Sequence, residues 1–141
     1  MKDLDRLVAF YENLSPEGVR HIGAFYAADA YFKDPFNEVR GVDKVQHVFA
    51  HMFKQVAEPR FRITERVNAA NGAVLMWDFT FRFSSGGEMQ TIRGASHLRF
   101  DEHGKVGYHC DYWDAAGELY AKVPLLGGLM RLARRRLSAG A

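Results

Sequence analysis

At Arg60 the hydrophobic period of this chain changes, and that change restricts it to folds in which helices pack on a sheet. Upstream, apolar residues recur three and four apart. Leu4, Leu7, Val8, Tyr11 and Leu14 line one face of a first helix. Ser15-Pro16 reads as an N-cap followed by proline at the first helical position, and Val19, Ile22 and Tyr26 form the inner face of a second helix. Asp43 can cap a third helix, whose inner face is Val45, Val48, Phe49, Met52, Phe53 and Val56 and which Pro59 ends. Downstream the period is two. Phe61 and Ile63 alternate with charged residues, and Asn71-Gly72 marks a turn. Trp77, Phe79, Phe81 and Phe83 then alternate with Asp78, Thr80 and Arg82, giving a strand with one aromatic and one polar face. The next strand carries Ile92, Gly94, Ser96, Leu98 and Phe100 on one face. The last, Lys105 to Trp113, carries His109, Asp111 and Trp113 on one face and Tyr108, Cys110 and Tyr112 on the other. Three helices followed by a run of antiparallel strands is an α+β pattern, and helices covering one face of a curved sheet leave a pocket between them.

Composition narrows the function classes. A length of 141 residues suggests one domain, and 48% hydrophobic with 13% aromatic residues suits an apolar interior. The formal net charge is only +2 and the basic excess sits at the C-terminus, so nucleic acid is not the expected partner of the body. The single Cys110 excludes an internal disulfide and suits a reducing compartment. The acidic N-terminus, MKDLDRLVAF, does not read as a signal peptide, and no apolar run approaches bilayer length. The expectation is a cytoplasmic protein.

The helical half meets the strand half at Tyr26 to Gly41, YAADAYFKDPFNEVRG. Lys33-Asp34-Pro35 stops a helix, because the residue before proline is pushed out of the α region. Asp34 thus lies on extended backbone near Tyr26, Tyr31, Phe32 and Phe36. A carboxylate poorly solvated by such neighbours is a better base. The same Asp can instead close a local turn.

This segment resembles the Y-A-x-D-A-x-x-x-D-P stretch, with a following glycine, of the ketosteroid isomerases and SnoaL-like proteins of the nuclear transport factor 2-like superfamily. LRFDEHGKV, Leu98 to Val106, is similar to the hairpin between that fold's last two strands, and Tyr112-Trp113 to the end of its final strand. The resemblance covers most of residues 1–114 and implies a cone of three N-terminal helices on a curved antiparallel sheet, followed by a tail at 115–141. It turns His109, Asp111, Trp113, Ser96 and the Trp77, Phe79 and Phe81 aromatics inward, with Asp34 facing the same cavity and Tyr26, Phe36 and Phe53 beside it. Two carboxylates and an imidazole in an aromatic cavity form an acid–base set. The same pair, His109 and Asp111, can equally be a satisfied buried polar spot.

In the ketosteroid isomerases an Asp base moves a proton beside a carbonyl while a Tyr and a protonated Asp hold the enolate oxygen. Asp34 matches the base. Ser96 stands where the protonated Asp would be, and Phe10 where the Tyr would be, with Tyr11 adjacent. The inward Asp111 is more similar to SnoaL-type polyketide cyclases. The resemblance therefore implies proton transfer, as isomerisation or cyclisation, on an apolar carbonyl compound with no cofactor or metal. Asp34, His109, Asp111 and Tyr11 are its candidate catalytic groups. A non-catalytic carrier of a hydrophobic small molecule is the rival reading.

Other motifs carry less. His47 and His51 are four apart on a helix but lack the glutamate of H-E-x-x-H and fall on its polar face. Cys110 faces away from His109, and no Ser stands in a G-x-S-x-G turn. Tyr108 and Tyr112 place an aromatic patch on the outer sheet face, which suggests a homodimer. In the tail, Val123 to Leu137 reads as a helix with Leu125, Leu126, Leu129, Met130, Leu132, Ala133 and Leu137 on one side and Arg131, Arg134 and Arg135 on the other. Such a helix can cap the cone's mouth, contact a partner, or lie on an anionic membrane through residues 123–137.

Overall fold

A computed structural model describes residues 2–119 and 124–138. Helix α1 (Lys2–Glu12) is followed by a short α2 (Pro16–Val19) and a 3-10 turn at Ile22–Ala24. Strands β1 (Tyr26–Lys33) and β2 (Glu38–Arg40) lead into α3 (Val42–Gln55). The meander β3 (Ala57–Ala69), β4 (Gly72–Arg82), β5 (Met89–Phe100) and β6 (Val106–Trp113) follows, then α4 (Ala115–Glu118) and α5 (Pro124–Leu137). The fold is α+β, with one six-stranded sheet in the order β2-β1-β6-β5-β4-β3.

The sheet is mixed, which corrects the expectation of an antiparallel one. β1 runs parallel to β6, pairing Phe32 with His109 and Lys33 with Cys110, while every other pair is antiparallel. A parallel pair needs a long crossover; here β2, α3 and strands β3 to β5 supply it. The second helix is also shorter than its apolar spacing suggested. Tyr26 opens β1, paired with Val106, and Phe25 accepts the Val106 N–H through its carbonyl. Strand pairing overrides a weak helical propensity over Tyr26 to Ala28.

Two boundaries move for identifiable reasons. Gly41, not Asp43, stands before α3, at φ 107, a left-handed conformation suited to glycine; Asp43 lies in the helix's first turn, where the dipole favours its charge. Pro59 lies inside β3 instead of terminating α3. It is tolerated because β3 is an edge strand and its register shifts between Ala57 and Arg60, beside Glu58 at φ 53.

The core forms where the expected helix faces meet the sheet. Leu4, Leu7, Val8 and Tyr11 of α1, and Val45 and Phe49 of α3, close over Tyr26, Phe32, Leu75, Leu98 and Val106. Leu4, Leu7, Leu75 and Leu98 are each fully buried, worth roughly 1.5–3 kcal/mol apiece. A second cluster, Trp77, Phe81 and Ile92 with Phe61 and Phe79, fills the sheet's other end. Among the described residues no helix is long and apolar enough to cross a membrane. The side chains of Leu125, Leu126 and Met130, and all of Val123, lie outside the described residues.

Candidate functional site

Between the two clusters a continuous chain of hydrogen bonds crosses the interior. Tyr11 comes from α1 and Tyr26 from the first position of β1; their hydroxyls are 2.5 Å apart. The Tyr26 hydroxyl is 2.7 Å from His109 Nδ1, and His109 Nε2 is 2.6 Å from Asp111 Oδ1. Ser96 Oγ, opposite Asp111 on β5, donates to the same Oδ1 and accepts from Trp77 Nε1 at 2.9 Å. Alternation puts His109 and Asp111 on one face of β6, as the sequence indicated.

Chemistry orients the chain. An ionised carboxylate only accepts, so the proton between His109 and Asp111 belongs to Nε2. Neutral His109 then presents a lone pair at Nδ1, Tyr26 donates to it, and Tyr11 donates to Tyr26. With the imidazole neutral, every bond is satisfied in this direction. Burial pushes both phenols above the ordinary tyrosine range, and the nearby Asp111 charge acts the same way. Tyr26 and Tyr11 therefore hold their protons and act as donors. Phe32, Phe49, Tyr11 and Tyr26 surround the imidazole, with the Phe32 ring at 4.7 Å, so the chain lies in a low-dielectric setting.

One glycine makes the far end possible. Gly94 pairs with Trp77 across β4 and β5, and a Cβ there would lie 2.5 Å from the indole. The bare backbone lets the indole lie across β5, where its N–H reaches Ser96.

Tyr26, His109, Ser96, Trp77 and Tyr11 are buried, whereas the Asp111 side chain is 15% exposed. Both of its bonds fall on Oδ1, which leaves Oδ2 to another donor or acid. Asp111 also borders an open groove of about 690 Å³ at the ends of β1 and β6, lined by Tyr31, Lys33, Asp34, Pro35, Tyr108, Cys110, Tyr112, Trp113 and Asp114 as well. Asp111 is thus the point where the buried chain meets the surface.

Asp34 departs from its expected setting. Its Oδ1 accepts the backbone N–H groups of Phe36 and Asn37 at 2.8 and 2.7 Å, and the Asn37 side-chain amide reaches both carboxylate oxygens. The carboxylate closes the 34–37 turn and has polar donors in place of an aromatic enclosure. It shares the groove with Asp111 but belongs to no bond of the interior chain among those described. Phe36 is half-exposed, with its ring edge-on to that of Trp113, which lines the groove, at 5.6 Å. Phe79 and Phe53 are half-buried, and Phe81 is buried beside Phe79. His47 and His51 are exposed on α3.

Sequence reading missed the connection made by Tyr26, because it placed that residue in a helix. The available signal was chemical: three groups able to hold one proton between them, Tyr11, Tyr26 and His109, all fell on inward faces.

Comparison with known proteins agrees with this architecture. A family model described as a SnoaL-like domain matches residues 7–109. A nuclear transport factor 2-like protein of unknown function from Burkholderia pseudomallei is similar in structure, at 18% identity and a TM-score of 0.71 over 83% of this chain and 94% of that one. A protein provisionally assigned as a SnoaL-like polyketide cyclase from Shewanella putrefaciens is 18% identical, with a TM-score of 0.71 over 89% and 98%. A Catenulispora acidiphila protein with a ketosteroid isomerase-like fold, solved with trimethylamine, is 15% identical, with a TM-score of 0.70 over 83% and 88%. No curated protein matches the chain in sequence.

Proposed function

The chain belongs to the SnoaL-like domain family, and from its interior chemistry we propose a cofactor-free acid–base enzyme that isomerises or cyclises an apolar carbonyl compound. Asp111 is the base. Its Oδ2 takes a proton from the carbon beside the carbonyl, the C–H electrons pass into the enolate, and the proton returns to another atom of the same substrate. His109 and Ser96 are positioning residues: both hold Oδ1, so that Oδ2 meets the substrate. Tyr26 and Tyr11 fix the imidazole tautomer from behind. Trp113 and Phe36 give the substrate an apolar rim. Asp34 shapes the mouth through its turn and is not the base.

The observation that carries this reading is the position of Asp111, the one partly exposed member of an otherwise buried, fully bonded chain. The test is exchange of α-hydrogens for deuterium in a panel of cyclic ketones and β-diketones, followed by proton NMR. Wild type and Asp34→Ala should exchange at least one panel member. Asp111→Asn should lose about 10²- to 10⁴-fold of the rate. Binding of panel members without exchange sinks the enzyme reading and leaves a carrier. The carrier has one observation in its favour: no described buried side-chain polar atom lacks a partner, so the chain can serve structure alone.

The partner reading is a homodimer through the outer sheet face. Met76, Ala95 and Tyr112 are cross-strand neighbours there, and Met76, Tyr112 and Val67 are exposed. Light scattering reads it directly; a single-chain mass at micromolar concentration removes it.

A further inference from the structure

Helix α5 is a fourteen-residue element with no packed face among its described side chains. Leu129 is 59% exposed, Leu132 48% and Leu137 85%, and Arg131, Arg134, Arg135 and Arg136 are exposed as well. At 3.6 residues per turn these leucines share one side with Ala133, while Arg131, Arg134 and Arg135 occupy the other. The described leucines of this stripe are thus left in water, and exposed apolar side chains gathered on one side mark a binding surface.

Charge selects the occupant. From residue 119 to 141 the chain carries Lys122 and the four arginines and no acidic residue. The nearest ion pair is long and exposed, Arg134 to Asp114 at 4.0 Å. A surface that suits this segment must be apolar and anionic together. At 1.5 Å per residue α5 is about 21 Å long, short of the roughly 30 Å hydrocarbon core, so it cannot span a bilayer but can lie along one. Leucines then enter the acyl boundary and guanidiniums reach lipid phosphates in bidentate fashion. Arg136, which falls among the apolar side chains, has a stem long enough to bring its charge up to the headgroups.

We propose that α5 is an interfacial anchor that docks this protein on a bilayer bearing anionic headgroups. Because Asp114 follows directly on β6 and borders the groove, the anchor also holds the mouth of the candidate site near the lipid surface. The anchoring does not depend on whether that site is catalytic.

The test is flotation of the full chain with vesicles of phosphatidylcholine alone and of equimolar phosphatidylcholine and phosphatidylglycerol. The chain should float with the anionic vesicles only, and less so as salt is raised. The triple variant Arg131→Gln, Arg134→Gln, Arg135→Gln should partition on the order of a hundredfold less, about fivefold per arginine. Leu129→Asp with Leu132→Asp should abolish flotation while leaving the melting temperature unchanged, since both side chains are exposed in the free protein. Failure to float with either vesicle at low salt overturns the proposal. So does equal flotation with both compositions, or a leucine variant that halves the molar mass of a chain that never floats, which would make α5 a subunit contact.

Discussion

Tyr26→Phe removes one oxygen from the middle of the buried chain and tests its direction. In the wild type that hydroxyl bonds both His109 Nδ1 and the Tyr11 hydroxyl, and with the imidazole neutral it donates to the first and accepts from the second. Its loss leaves a buried imidazole nitrogen and a buried phenol without partners. Each orphan costs roughly 1–3 kcal/mol, so Tyr26→Phe should destabilise by about 2–5 kcal/mol. Tyr11→Phe removes only the terminal donor. Tyr26 still donates to His109, and the expected cost is about 0.5–1.5 kcal/mol. The double variant is the sharper measurement. It deletes the phenol that Tyr26→Phe strands, so it should be about 1–2 kcal/mol more stable than Tyr26→Phe alone, a coupling of the kind found between residues in direct contact. Urea unfolding with linear extrapolation reads all four proteins, provided the slope m stays constant across them. Additive losses, or Tyr11→Phe costing as much as Tyr26→Phe, would refute the directional chain.

Two further outcomes follow from the same geometry. Burial holds the Tyr11 and Tyr26 protons in the folded state, so above pH of about 10 only the unfolded chain releases them and stability falls by about 1.4 kcal/mol per pH unit for each. Tyr11→Phe should remove one such increment from the slope measured between pH of about 10 and 12, and an unchanged slope would mean that the Tyr11 phenol ionises in the folded protein. Gly94→Ala should force the indole off β5, break the Trp77–Ser96 bond and cost about 1–3 kcal/mol with a red shift in tryptophan emission; unchanged stability and emission would show that the indole does not depend on the bare backbone.

Asp34 shows how the two levels of information divide. Its extended backbone and aromatic neighbours in sequence suggested a desolvated base. The alternative, an Asp closing a local turn, was legible in the same residues, because Asp-Pro-x-Asn is itself a turn signal. The tertiary structure shows the turn formed, with Asn37 reaching back to both carboxylate oxygens.

The sequence by itself determined what depends on local period: the faces of α1 and α3, the strands β3 to β6, the shared side of His109 and Asp111, and the two-sided character of α5. These follow from 3.6- and 2-residue repeats, which hold wherever the chain goes. Tertiary structure alone decided what depends on distant pairing. Tyr26 is a strand residue because Val106, eighty residues later, lies beside it. The parallel β1–β6 pair then places the Tyr26 hydroxyl against His109, and the antiparallel β5–β6 pair places Ser96 against Asp111. No repeat in the chain encodes those meetings. They arise from closing one sheet around one apolar core, which brings polar groups from four strands and one helix to the same line and obliges each to find a partner there.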